Sequence, residues 1–389
     1  MIDISVLDRL NAPSAEERLA ELRAVLPETS FPPMVPQYIN NHIHTTYSFS
    51  PYSPTAAVYA ARMEGLCTAG IIDHDSIAGA REFIAAAEIV DMPVTVGMEC
   101  RVSMAGTRLD GRRTNNPDQV GVSYMTIQSV PHDQIDALDA FFRPYRALRN
   151  QRNRKMVEKI NQLLPDVHLD FDRDVLPLSQ YAGGGSVTER HLMYALAKRL
   201  TEQSGRGEAM TVRLEAMGLQ LSEKQRGQML DLTYPFYEYD LLGILKSAFV
   251  PEIYIDADEE CPKLADVAAL CRETDALLCY AYLGDVGQSV TGDKKAQKFE
   301  DDYLEDVFES LREEGVKAVT YMPTRNTRAQ LERLRGLCGQ YGMFQVSGED
   351  INSPRQSFVI KAMEDPLFAN LIDATWRLIG HERTGKPIF

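Results

Sequence analysis

Residues 40–54 read NNHIHTTYSFSPYSP and set His42 and His44 two positions apart at the end of a short apolar run. Side chains alternate faces along a strand, so positions i and i+2 point the same way and bring two imidazoles within a few Å. A divalent cation can take both. In a chain with seven histidines, a pair spent at one strand end is the feature from which the rest is read.

Working outward, QYINNHIH is followed by a helical stretch from Pro54 to Met63, CTAGIIDHD by another from Ser76 to Ile89, and then comes the apolar run MPVTVGMEC. The alternation resumes near Leu264 with helix ADVAALCRETD, strand ALLCYAYLGD, helix FEDDYLEDVFESLREEG, strand VKAVTYMP, helix RAQLERLRGLCGQYG and strand MFQVSGED. Gly342 follows the last of these helices as a C-cap. Strand–helix alternation predicts an α/β barrel or parallel sheet whose reactive groups collect where strands end. His42 and His44, His74, Glu99 and Asp350 all fall at such ends. Imidazoles and carboxylates together make a mixed shell suited to zinc, manganese or iron, with magnesium also compatible. Such a shell can keep one position open for a water used in hydrolysis.

Each residue also has a plainer reading. An HxH pair can be hydrogen-bonded surface groups, and Asp75 can cap a helix opening at Ser76. An acidic neighbour in DHD can instead orient His74. His191, early in a helix after YAGGGS, reads alone as a core or capping histidine. Joint placement favours a metal.

Four segments are expected. Residues 1–36 form a helical arm, read as one helix stopped by FPPMVP. Residues 37–103 are the first part of the barrel and 104–248 a mainly helical insertion, in which VGVSYMTIQ can still be a strand. Residues 249–389 complete the barrel and end in a helix. Net charge is −15, which opposes a phosphate backbone and disfavours nucleic acid as a partner. No apolar run approaches the ~20 residues that span a bilayer, so no membrane association is expected. The amino terminus lacks a secretory signal pattern, and six scattered cysteines without CxxC pairing suit a reducing cytoplasm.

At this point HIHTTYSFSPYSP, IIDHDSIAGA, GMEC, ERHLMYAL, CYAYLGD and SGEDIN together resemble the PHP family, named for polymerase and histidinol phosphatase. The resemblance implies a distorted (β/α)7 TIM-like barrel and a metal-dependent phosphoesterase with one to three divalent ions. RNRKMVEKIN before ERH resembles the insertion of the nucleotide-phosphatase branch. By resemblance His42, His44, Glu99 and Asp350 hold one metal, Glu99 bridges to a second held by His191, and His74 belongs to a third. Asp350 would also accept a proton from the water, and Asp75 or His74 would protonate the leaving group.

The chain departs from the family where Tyr282 and Asn352 replace histidines, where Phe49 replaces a polar residue, and where Asp285 replaces an arginine. Cations for a phosphorylated small molecule are then sought at Arg355, Arg325, Lys294 and Lys295, with Tyr282 and Asn352 beside them. Two other readings stay open: a metal- or ligand-binding scaffold without turnover, and hydrolysis of a non-phosphate bond.

Overall fold

The computed structural model describes residues 3–287 and 297–389. The arm is two helices rather than one, α1 (Ile4–Leu10) and α2 (Ala15–Val25). Ser14 opens α2 with a capping box, its side chain accepting from Glu17 N while the Glu17 carboxylate accepts from Ser14 N. That reciprocal pair, after the helix-stopping Pro13, starts a new helix where the apolar pattern alone runs on.

The first βα units follow in chain order as β1 (Val35–Ile43), α3 (Pro54–Met63), β2 (Leu66–His74), α4 (Ala80–Ile89) and β3 (Val94–Ser103). Ser53 caps α3 by accepting from Ala56 N, with Pro54 in the first turn. β4 (Val122–Gln128) comes next, so the stretch expected to be an insertion gives one strand to the sheet. Helices follow: α5 (Ile135–Leu163), α6 (Glu189–Ser204), α7 (Glu208–Ala216), α8 (Glu223–Leu230), α9 (Tyr237–Ile253) and α10 (Leu264–Glu273). The alternation then resumes with β5 (Leu277–Ala281), α11 (Leu304–Glu313), β6 (Ala318–Tyr321), α12 (Arg328–Tyr341), β7 (Phe344–Ser347) and α13 (Ala369–Thr384).

The seven strands lie in the order β1 to β7, parallel except that β4 runs antiparallel to both β3 and β5. The sheet curls until Ile43, at the end of β1, forms a parallel bridge with Ile351, beyond β7. This is a nearly closed, TIM-like α/β barrel with helices around it. Leu192, Leu196, Leu241 and Leu245 belong to a second apolar cluster formed by the helices between β4 and β5. Among the described residues no helix is long and apolar enough to cross a membrane, and the six cysteines are free and buried.

α13 is tied to the start of β3 by the buried carboxyl of Glu382, which accepts from Thr95 Oγ1 and, at 3.1 Å, from Val96 N. Burial pushes this carboxyl up to about 7 against the pull of His132 and Thr95. A carboxyl raised on folding gives stability that is fully present below its ordinary value of 4.5 and lost as pH rises through about 7. Glu382→Gln, which stays neutral, is therefore expected to gain roughly 2–3 kcal/mol on the wild type between pH 5 and pH 8, read by urea denaturation at each pH. Parallel pH profiles would refute this.

Candidate metal centre

His42 and His44 leave β1 on one face, with ring centroids 5.0 Å apart, and the His74 ring lies 4.5 Å from that of His44. Glu99 is not at a strand end as expected. β3 continues to Ser103, and Glu99 sits mid-strand in register with His74. That register makes the contact: Glu99 Oε2 is 3.0 Å from His74 Nδ1, 3.6 Å from His42 Nε2 and 3.8 Å from His44 Nε2. Asp350 arrives from the far end of the sheet, its Oδ1 3.1 Å from His44 Nε2. Ile351 N donates to His42 O at 3.1 Å and His44 N to Ile351 O at 2.9 Å. Gly348 permits this seam, since a Cβ there would stand 2.6 Å from His42 Cβ.

His44 is held by a relay. Ser48 Oγ donates to Asp73 Oδ1 at 2.6 Å, so toward His44 Nδ1, 3.1 Å away, it can only accept. The proton therefore sits on Nδ1, and Nε2 offers its lone pair to the crevice. Asp73, fixed further by Thr45 N at 2.7 Å and Thr45 Oγ1 at 2.6 Å, is the acidic neighbour in DHD that matters, and it orients His44 through Ser48 rather than His74.

Ligand atoms of His42, His44 and Asp350 lie within 4.8 Å of one another, as do those of His44, His74 and Glu99. Because His44 has only Nε2 to give, these are two views of one crevice. His74 thus stands in the same crevice as the other candidate ligands. His42 Nε2 and His44 Nε2 are both buried without a hydrogen-bond partner, the Asp350 approach being close but not aligned. Each such orphan costs about 1–3 kcal/mol. With metal–nitrogen bonds of ~2.0–2.1 Å, donors of a tetrahedral shell stand roughly 3.3 Å apart. The imidazole–carboxylate separations here run from 3.0 to 3.8 Å, and the ligand atoms of each group lie within 4.8 Å of one another, so the residues fit a divalent cation.

Burial alone would raise the Glu99 carboxyl, but His74 and His42 outweigh it and hold the group far below the usual carboxylate range. Desolvation is likewise overcome at Asp350 by His44, His42 and Arg190. Burial pulls His44 down and keeps it neutral, whereas at His42 the Glu99 carboxylate reverses that pull. Anionic carboxylates and a neutral His44 are ligand forms.

Other expected residues are engaged elsewhere. His191 Nδ1 accepts from Thr188 N at 3.0 Å, and its ring packs edge-on against Phe49, 4.9 Å between centroids. Burial, with Arg149 beside it, lowers His191 to about 3. Among the described residues no group of ligand atoms includes it. Phe49 packs also on Tyr194 and Tyr239, and His191 fills the third position of the α6 capping box opened by Thr188.

Asp75 caps no helix, since α4 opens four residues after Ser76, and its carboxylate takes Arg149 Nη1 at 2.5 Å. Arg355 forks onto Asp240 at 2.8 and 2.7 Å and stacks on Tyr234. Tyr282 is buried and donates to Asp301 at 2.6 Å, away from any ligand group. Arg325 donates Nε–H to Leu283 O at 3.0 Å. Asn352 Nδ2 donates to Asp350 Oδ1 at 2.6 Å and so steers a carboxylate rather than a substrate. Lys294 and Lys295 lie outside the described residues.

No family model and no curated protein matches the chain. Solved structures do. A protein described as a candidate metal-dependent phosphoesterase from Bifidobacterium adolescentis superposes with a TM-score of 0.55 at 18% identity, over 88% of this chain and 98% of that one. The chain shares its fold. An amidohydrolase from Chromobacterium violaceum, solved with bound sulfate and no metal, gives 0.53 at 16% identity, over 82% of this chain and 89% of its own. Both likenesses are of the fold.

Proposed function

We propose that the chain is a metal-dependent phosphoesterase acting on a small phosphorylated molecule and resembling the PHP family. The observation that supports this best is the convergence of two unpartnered buried imidazole nitrogens on the Glu99 carboxylate, with Asp350 and His74 beside them. His42, His44, Glu99 and Asp350 would hold the cation. A divalent ion bound there supplies Lewis acidity toward a phosphoryl oxygen and lowers the pKa of a coordinated water from ~15.7 toward ~7.

The chain's own residues supply the rest. Ser48 and Asp73 fix the His44 tautomer, and Asn352 fixes Asp350. Asp350, 42% exposed at the mouth, is positioned to accept the proton of the attacking water. His74, 23% exposed with Nδ1 3.0 Å from Glu99 Oε2, is the group left to protonate the leaving oxygen once Asp75 is committed to Arg149.

Elemental analysis of purified wild type is expected to find at least one zinc, manganese or iron per chain, and His42→Ala is expected to lose it. A phosphomonoester panel with added manganese then reads turnover. Unchanged metal content in the variant would end the site assignment. Bound metal without phosphomonoester turnover, or turnover of amides instead, would replace the reaction class.

A further inference from the structure

The arginines around the crevice are nearly all satisfied. Arg149 pairs with Asp75 and Glu189, Arg152 with Glu189 and Glu260, Arg101 with Glu260, and Arg146 with Asp139. Two cations break the rule. Arg190, in the first turn of α6, and Lys246, in the middle of α9, are half-buried, and neither side chain has a hydrogen bond or ion pair among the described residues. Their helices pack face to face, with the Tyr194 ring, one turn after Arg190 on α6, 5.2 Å from that of Tyr239 on α9, and Arg190, ahead of burial, pushes Lys246 down to about 8. Phe49, the residue after Ser48 of the His44 relay, packs on His191, Tyr194 and Tyr239 and so sets these helix faces beside the crevice, and both cations feel the Asp350 carboxylate without pairing with it.

Two like charges held together in a partly dry place oppose folding, and such costs collect where a site needs them. An anion between them removes the repulsion. Their nearness to Asp350, the ligand at the mouth, sets that anion against the imidazole–carboxylate cluster. We propose that Arg190 and Lys246 are the anion-binding pair of this crevice, taking those phosphoryl oxygens of a phosphomonoester that do not face the cluster. A neutral amide would leave both cations uncompensated, so the pair selects phosphate esters over amides. The placement rests on the hydrolase reading above.

The test is calorimetric titration of inorganic phosphate into the full-length, manganese-treated protein, as wild type, Arg190→Gln, Lys246→Met and the double variant, with metal content measured on each. Loss of a charged hydrogen-bond donor is expected to raise the phosphate Kd at least about tenfold in each single variant and more in the double. Metal content stays at the wild-type level and Tm is unchanged or higher, because an uncompensated charge has been removed. Phosphate binding that is absent in the wild type, or unaltered in the double variant, overturns the proposal. So does loss of metal from the single variants. A wild type that takes no metal ends the hydrolase reading instead, and phosphate binding that still vanishes in the double variant then keeps the anion pair.

Discussion

Replacing Glu99 with glutamine is expected to cut kcat/KM toward phosphomonoesters by at least about 10³-fold and to deplete bound metal, with the fold retained. One oxygen of this carboxylate lies within 3.8 Å of three imidazole nitrogens, so it is the shared corner of the donor set. Glutamine keeps the volume, the mid-strand position and the ability to accept from His74, and removes only the charge. That charge would balance a divalent ion bound there, whose Lewis acidity would supply several kcal/mol to the reaction. A loss of about 4 kcal/mol corresponds to about 10³-fold in rate. Steady-state kinetics with elemental analysis on the same preparation read both effects. A variant with a few-fold loss and full metal would remove Glu99 from the centre, and the functional reading with it.

Much of the barrel was legible in the sequence because each strand is a β-prone run closed by a polar cluster. All seven runs recur as strands, and α3 spans Pro54–Met63 as read. The direction of β4 was not legible, since a strand's apolar pattern is the same whichever way it runs. Nor was the end of β3: CRV continues a strand buried on both faces, where no polar alternation marks the exit, so Glu99 read as terminal. The HxH, His74, Glu99 and Asp350 were found because strand ends converge in this architecture whatever the details of packing. Which cations stand unpaired was not legible for the opposite reason. Whether Arg355 is free or forked onto Asp240, and whether Arg190 is paired, depends on how helices distant in sequence dock. Composition and spacing carry no such information. The split in the arm, by contrast, was written locally in Pro13, Ser14 and Glu17.

Removing Glu260 is expected to destabilise the protein more than any surface substitution, by about 3–5 kcal/mol for Glu260→Ala. Its carboxylate is 3% exposed and takes Arg101 from β3 and Arg152 from α5, both nearly as buried. Arg152 goes on to Glu189, Glu189 to Arg149, and Arg149 to Asp75, the residue after His74. Three guanidiniums and three carboxylates alternate along this line, so its charges cancel, and alanine at 260 leaves one buried positive charge without compensation. Desolvating that charge is what makes a broken buried pair costly. The exposed Arg154–Asp172 pair, at 45% and 60% exposure, gives the contrast: Arg154→Ala should cost no more than about 1 kcal/mol. Urea denaturation of the two variants beside wild type decides the matter. Equal costs would mean that the line from β3 to Asp75 is not what fastens the helices between β4 and β5 over the strand carrying Glu99.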